Sequence, residues 1–233
     1  MSESLPVVLI PGLLLTPQLY APQLEALWAE APVLLANHTR ADSMAELARG
    51  ILAQAPPRFA LVGLSMGGYI AFEILRQAPE RVARLALLDT AARPDTPDIT
   101  AGRRTNMQLA QSGRLAEVVD GLIPRLVHPT RVNDAPLLEV IRRMGAQVGV
   151  AGYLRQQAAI IARPDSRPML KDIRCPTLVL VGDADQLTPP ERAQEIAAAV
   201  RGAELVLVPE CGHLSTLERP ELVTRALRSW LGR

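Results

Sequence analysis

Six short apolar runs punctuate the chain: Val7-Val8-Leu9-Ile10, Val33-Leu34-Leu35, Ala60-Leu61-Val62, Leu85-Ala86-Leu87-Leu88, Leu178-Val179-Leu180-Val181 and Leu205-Val206-Leu207-Val208. They are continuous rather than alternating, the pattern of strands buried on both faces of a parallel sheet. Segments between them carry a helical period. Met44, Leu47, Ala48, Ile51 and Leu52 share one face, and Ser43 with Glu46 forms a capping box in front of them. Pro190 opens a helix with Ala193, Ile196, Ala197 and Val200 inward. Pro220 opens the last, with Leu222, Val223, Ala226, Leu227, Trp230 and Leu231 inward and Gly232 as its stop. Strand alternating with helix predicts an α/β fold, a doubly wound, mostly parallel sheet of about six strands.

Residues 92–172 break this rhythm. No convincing strand occurs there, and the stretch reads as amphipathic helices such as Leu115–Leu126 and Leu137–Met144, with Pro94, Pro97, Pro164 and Pro168 near its ends. A connection this long in a compact domain serves as a lid or a binding element. The predicted organisation is a core of residues 1–91 and 173–233 with a helical cap inserted at 92–172.

Composition narrows the function. The formal charge of +1, from 25 basic and 24 acidic residues, leaves no electrostatic footprint for nucleic acid. The apolar run at Val7–Leu15 is short, broken by Pro11-Gly12 and preceded by Glu3, unlike a membrane span or a secretory signal. Two cysteines, Cys175 and Cys211, make no disulfide framework. A cytoplasmic protein without nucleic-acid or membrane partners is expected, acting on a small molecule; the pattern leaves its oligomeric state open. Absence of H-E-x-x-H, of clustered metal ligands and of nucleotide-binding glycine loops predicts neither metal nor cofactor.

Gly63-Leu64-Ser65-Met66-Gly67 follows one predicted strand and opens a helix. Chance alone would place such a G-x-S-x-G in a chain of this composition roughly 0.03 times. A turn this tight needs small residues beside the serine, and its strain projects the hydroxyl from the sheet's carboxyl end. The competing reading is a Gly-rich turn with an incidental serine. A serine hydroxyl needs a base whose tautomer is held by an acid. Of three histidines, His38 and His128 read as loop histidines satisfied by solvent. His213, between the last strand and the last helix, falls at the same sheet edge as Ser65. The acid should also end a strand. Asp183 and Asp185 follow the fifth run and Asp89 ends the fourth, so three aspartates compete.

With these motifs in order, the chain resembles a serine hydrolase of the α/β-hydrolase superfamily over nearly its full length outside the insertion. The G-x-S-x-G elbow, the acid loop Gly182-Asp183-Ala184-Asp185-Gln186-Leu187-Thr188-Pro189 and the Gly212-His213 pair carry the resemblance. It implies Ser65 as nucleophile, Asp185 as acid and His213 as base. It implies an oxyanion hole made by the backbone N–H groups of Met66 and, by position, Leu13. Many members have His-Gly where this chain has Pro11-Gly12, which leaves Leu14 as a rival to Leu13. Two N-terminal strands of larger relatives find no room here, hence about six strands. The 92–172 segment resembles the helical cap.

Met107, Met144 and Tyr153 are candidate linings of an apolar substrate pocket, with plain packing as the alternative. Arg103-Arg104 and Arg142-Arg143 fit a solvated helix face better than a carboxylate site. The expected activity is carboxylesterase-like hydrolysis of a small, mostly apolar ester, lactone or thioester through an acyl-enzyme. The alternatives are carbon–carbon bond hydrolysis or cofactor-free perhydrolysis on the same triad, or a ligand receptor retaining the scaffold.

Overall fold

The structure, a computed structural model, describes residues 4–232. Its elements in chain order are β1 (Val7–Ile10), α1 (Ala21–Trp28), β2 (Val33–Leu35), α2 (Met44–Leu52), β3 (Phe59–Leu64), α3 (Met66–Gln77) and β4 (Val82–Leu88). There follow α4 (Pro97–Gln111), α5 (Leu115–Leu126) and α6 (Ala135–Ile161), then β5 (Thr177–Gly182), α7 (Pro190–Ala199), β6 (Glu204–Val208), α8 (Ser215–Glu218) and α9 (Pro220–Leu231). One sheet has the order β2-β1-β3-β4-β5-β6, and every neighbouring pair is parallel. Chain direction across the sheet reverses between β1 and β3, so a crevice opens at the carboxyl ends of these strands.

The continuous apolar runs are buried from both sides. Val7 and Leu9 face one core layer, with Leu27 of α1 and Val223, Leu227 and Trp230 of α9. Val8 and Ile10 face the other, with α2, α3 and α7. The two edge strands depart from the expectation. In β6, Leu205 is 41% and Leu207 54% exposed, and β2 is only partly buried. An edge strand lacks a neighbour on one side, so a continuous apolar run there does not guarantee double coverage.

Ser43 caps α2 as predicted, its hydroxyl accepting from Glu46 N–H at 3.3 Å. Between β4 and β5 the chain is helical among the described residues, as expected, and α5 has the predicted bounds. The predicted Leu137–Met144 helix is the first part of a longer one. Helical pairing continues to Ile161 across a break at Gly149, whose φ of 67° is left-handed. Glycine tolerates that conformation without cost to a side chain. The break re-aims the second half of α6 towards the loops after β1 and β2. There Arg155 Nε donates to Thr39 O at 2.8 Å, and Gln156 reaches Leu14.

Candidate active site

Ser65 stands between β3 and α3 with φ 56° and ψ −116°, a left-handed backbone that costs a non-glycine residue about 1–3 kcal/mol. The surroundings over-determine it. Ser65 N–H donates to Leu88 O at 2.9 Å, and Ser65 O accepts from Gly68 N at 2.9 Å and from Thr90 Oγ1 at 2.8 Å. The flanking glycines are sterically required. A Cβ on Gly63 would lie 2.4 Å from the Gly67 carbonyl, and one on Gly67 would lie 2.1 Å from Ile10 O. This close approach seats the start of α3 against the end of β1. Met66 N–H, in the first turn of α3, has no intrahelical acceptor and is available to a ligand oxygen.

Asp185 and His213 reach the same edge from the ends of β5 and β6. His213 Nδ1 donates to Asp185 Oδ2 at 2.8 Å, both side chains being buried. Asp185 Oδ1 accepts from the N–H groups of Leu187 (2.8 Å) and Thr188 (3.0 Å), and Oδ2 accepts from Thr188 Oγ1 at 2.7 Å. Burial works against the Asp185 carboxylate, but the facing His213 and these hydrogen bonds outweigh it and hold the carboxyl below its ordinary range. Burial likewise opposes the His213 imidazolium. The Asp185 charge prevails there and raises the imidazole above its usual 6.5.

Of the three competing aspartates, Asp185 is the one that meets His213. Asp183 instead ties the two loops together, its Oδ1 accepting from Cys211 N at 3.1 Å. Asp89 is fully buried and accepts from Gly182 N at 3.0 Å and from the Ser215 hydroxyl. Burial, and then the charge of Asp185, push its carboxyl up to about 8.

The His213 loop is clamped by backbone contact. A Cβ on Gly182 would lie 2.1 Å from Gly212 O, and one on Gly212 would lie 2.5 Å from Val127 C. His213 N and Leu214 N both donate to Leu126 O, at 3.0 and 3.2 Å. Glu218, missed in the sequence reading, accepts from Gly212 N at 2.9 Å and His128 N at 2.7 Å; burial pushes its carboxyl up.

His38 corrects an expectation. It is buried rather than solvated, with Nε2 2.8 Å from Gly12 O, and burial lowers its imidazole to about 4. Its loop passes beneath α6, a tertiary contact with no local signature. His128 is half-buried, its Nδ1 2.8 Å from Thr130 Oγ1. Arg103 is another departure: Nε is 2.6 Å from Asp95, which Arg163 also meets at 2.8 Å. Arg142 is exposed and paired with Asp120 at 2.7 Å.

Leu14, the rival oxyanion donor, is engaged: its N–H donates to Gln156 Oε1 at 3.1 Å. Met144 and Tyr153 are fully buried, with the Tyr153 hydroxyl accepting from Gln157 Nε2 at 2.8 Å. Met107 lies half-buried at the margin of the same cluster. A cavity of about 510 Å³ opens elsewhere, at the amino ends of β4 and β5 among Arg58, Arg76, Met169, Arg174 and Cys175. None of the groups described above lines it. No set of three His, Cys, Asp or Glu side chains among the described residues could hold a metal ion. No described helix is long and apolar enough to cross a membrane.

The chain belongs to the alpha/beta hydrolase family, whose family model matches residues 7–226. It is a hydrolase-type enzyme of that family. Among solved structures it is similar to a thermophilic esterase from Thermogutta terrifontis in its malate-bound form, with TM-score 0.90 and 32% identity, covering 99% of this chain and 90% of that one. It is also similar to the enol-lactonase from Burkholderia xenovorans, with TM-score 0.89 and 26% identity, covering 100% and 93%. A pimeloyl-[acyl-carrier protein] methyl ester esterase of Neisseria meningitidis is 25% identical over 221 residues, 90% of this chain and 85% of the relative.

Proposed function

We propose that this enzyme is a serine hydrolase that cleaves a small, mostly apolar ester, lactone or thioester through an acyl-enzyme, with Ser65 as nucleophile, His213 as base and Asp185 as acid. The observation that carries the reading is the buried 2.8 Å bond between His213 Nδ1 and Asp185, at the sheet edge where Ser65 sits in its strained turn. Asp185 keeps the proton on Nδ1, so Nε2 is free to accept the Ser65 proton as Oγ attacks the carbonyl carbon. The carbonyl π electrons move to oxygen, and the N–H groups of Met66 and Leu13 receive that charge. Collapse expels the alcohol or thiol, which takes the proton from His213. Water then repeats the sequence on the acyl-Ser65 ester and releases the acid. Family resemblance to enzymes named as esterase and enol-lactonase supports the substrate class.

The helices of residues 92–172 act as the cap over this site and set its specificity. Met107 on α4 and Leu13 on the oxyanion loop, both half-buried against the apolar cluster, supply the lining. Turnover of p-nitrophenyl esters of increasing acyl length, beside a set of lactones, tests the reading. Hydrolysis with a preference for short acyl chains or lactones is expected, and covalent labelling without turnover would favour a receptor. Met107→Ala should reorder the chain-length preference with little loss of stability. Met144→Ala, at a fully buried site, should instead cost about 2–5 kcal/mol of stability. A Met107→Ala enzyme with an unchanged preference would remove α4 from the pocket.

The raised basicity of His213 sets the pH dependence. The base must be neutral to accept a proton, and its folded-state value lies above 6.5. Activity is therefore present above that value and lost as pH falls through it. The acid limb of kcat/KM should have its midpoint above that of an ordinary histidine. His213→Gln should abolish activity, whereas His128→Gln should retain most of it. A midpoint below 6.5 would contradict the Asp185–His213 assignment.

A further inference from the structure

Leu13 is flanked by two peptide planes, and each is held by a buried side chain from outside its loop. The first plane contains Gly12 C=O and Leu13 N–H, which point in opposite directions because the peptide is planar and trans. His38 Nε2 lies 2.8 Å from Gly12 O, so fixing that oxygen aims Leu13 N–H. The second plane contains Leu14 N–H, which donates to Gln156 Oε1 at 3.1 Å. Leu14 itself has φ 60°, a left-handed conformation that a leucine keeps only when neighbours impose it. Gly12 is tightly packed: a Cβ there would lie 3.0 Å from Ser65 Cβ and 3.3 Å from Leu64 O. The loop therefore lies directly on the serine elbow, and small rotations of either plane redirect Leu13 N–H relative to Ser65.

We infer that Gln156, on the second half of α6, is a positioning residue that aims the Leu13 amide at the oxyanion, so the insertion takes part in the chemistry as well as covering it. This rests on the serine-hydrolase reading above. Gln156 is fully buried and bridges both planes, its Nε2 lying 2.9 Å from His38 Nε2. That ring nitrogen cannot donate to Gly12 O and accept from the Gln156 amide at once. With the proton on Nε2, as the bond to Gly12 O requires, the Gln156 N–H that faces the ring has no acceptor there. A glutamate at 156 would remove that conflict, one oxygen accepting from Leu14 N–H and the other sharing His38 Nε2–H with Gly12 O, which Leu15 N–H also holds at 3.2 Å.

Two substitutions break the tie and one preserves it. Gln156→Met keeps length and volume but has no acceptor for Leu14 N–H, and Gln156→Asn withdraws the amide by one methylene. Loss of a whole oxyanion donor costs about 10²–10³ in kcat. A misdirected donor should cost less, so both variants are expected to lose about 10- to 100-fold in kcat with KM within about threefold of wild type. Gln156→Glu should remain within about threefold of wild-type kcat. Thermal melts run alongside identify folded variants. Folded Gln156→Met and Gln156→Asn enzymes with wild-type kcat would overturn the inference. So would a Gln156→Glu enzyme as slow as the other two, since the position would then matter only for its native packing. A wild-type protein that hydrolyses no ester and is not labelled by a fluorophosphonate would instead overturn the serine-hydrolase reading.

Discussion

Ser65→Ala is expected to lower kcat on the order of 10⁶-fold, because the members of a triad act as a unit and removal of the nucleophile leaves only binding and the oxyanion donors. The same substitution should abolish labelling by a fluorophosphonate, since only an activated hydroxyl attacks phosphorus at neutral pH. Stability provides an internal control. Alanine has the same Cβ as serine, so the φ 56° backbone stays strained and the fold should be kept. Ser65→Gly removes that penalty, about 1–3 kcal/mol, against about 0.5–1 kcal/mol of extra chain entropy lost on folding. Ser65→Gly should therefore be inactive and no less stable than Ser65→Ala in urea titrations. Labelling that persists in Ser65→Ala, or maps to another serine, would sink the assignment.

The second large effect separates the three aspartates. In Asp185→Asn, the side-chain oxygen can keep the Leu187 and Thr188 amides that Oδ1 holds now. The amide nitrogen then replaces Oδ2 and faces His213 Nδ1. Nδ1 must accept, the ring proton moves to Nε2, and the imidazole can no longer take a proton from Ser65. The corresponding amide substitution in a serine protease costs about 10⁴ in kcat, and a loss of that order is expected here from a folded protein. Asp89→Asn should behave differently. Its oxygen can still accept from Gly182 N–H, while its amide donates to the Ser215 hydroxyl, which can turn to accept. A loss of roughly tenfold or less is expected, because the His213 tautomer is untouched. Asp183→Asn can keep its bond from Cys211 N–H and should lose no more. A crippled Asp89→Asn beside a nearly normal Asp185→Asn would place the acid after β4.

What the sequence made legible was whatever has a local cause. Continuous valine and leucine runs marked all six strands, and the proline starts and helical period marked α2, α5, α7 and α9. Gly63-Leu64-Ser65-Met66-Gly67 declared itself because the turn admits only small neighbours. Strand ends meeting at one edge of a parallel sheet brought His213 and three aspartates into reach of each other; the choice of Asp185, which bonds His213 at 2.8 Å, came from the resemblance of its loop to the family's. Groups that depend on what packs against them were not legible. Gln156 and His38 looked like ordinary polar residues of a helix and a loop. Their pairing across 118 positions depends on the break at Gly149. Glu218 matters only because the Gly212 loop folds back over it. Thr188 belongs to the acid-loop motif, but its hydroxyl contact with Asp185 is a matter of geometry.

The end of α5 is fastened to the histidine loop, with Leu126 O accepting from both His213 and Leu214 and Val127 resting on Gly212. The second half of α6 is fastened to the loop after β1 through Gln156. The insertion is thus bonded at two points to the loops that, in the proposed mechanism, carry the base and the second oxyanion donor. It cannot lift as a rigid flap without dragging the imidazole and the oxyanion loop with it. α4 is tied as well, Arg103 bonding Asp95 at 2.6 Å and donating to Gln157 Oε1 on α6 at 3.0 Å, while the turn at Gly113, with φ 87°, leaves open space where a side chain would begin. In the proposed mechanism, with Met107 of α4 lining the pocket, a substrate meets groups that are already assembled. On that reading, a molecule too bulky to fit beneath the insertion would have to dismantle the groups needed to cleave it, so size would be tested before the chemistry.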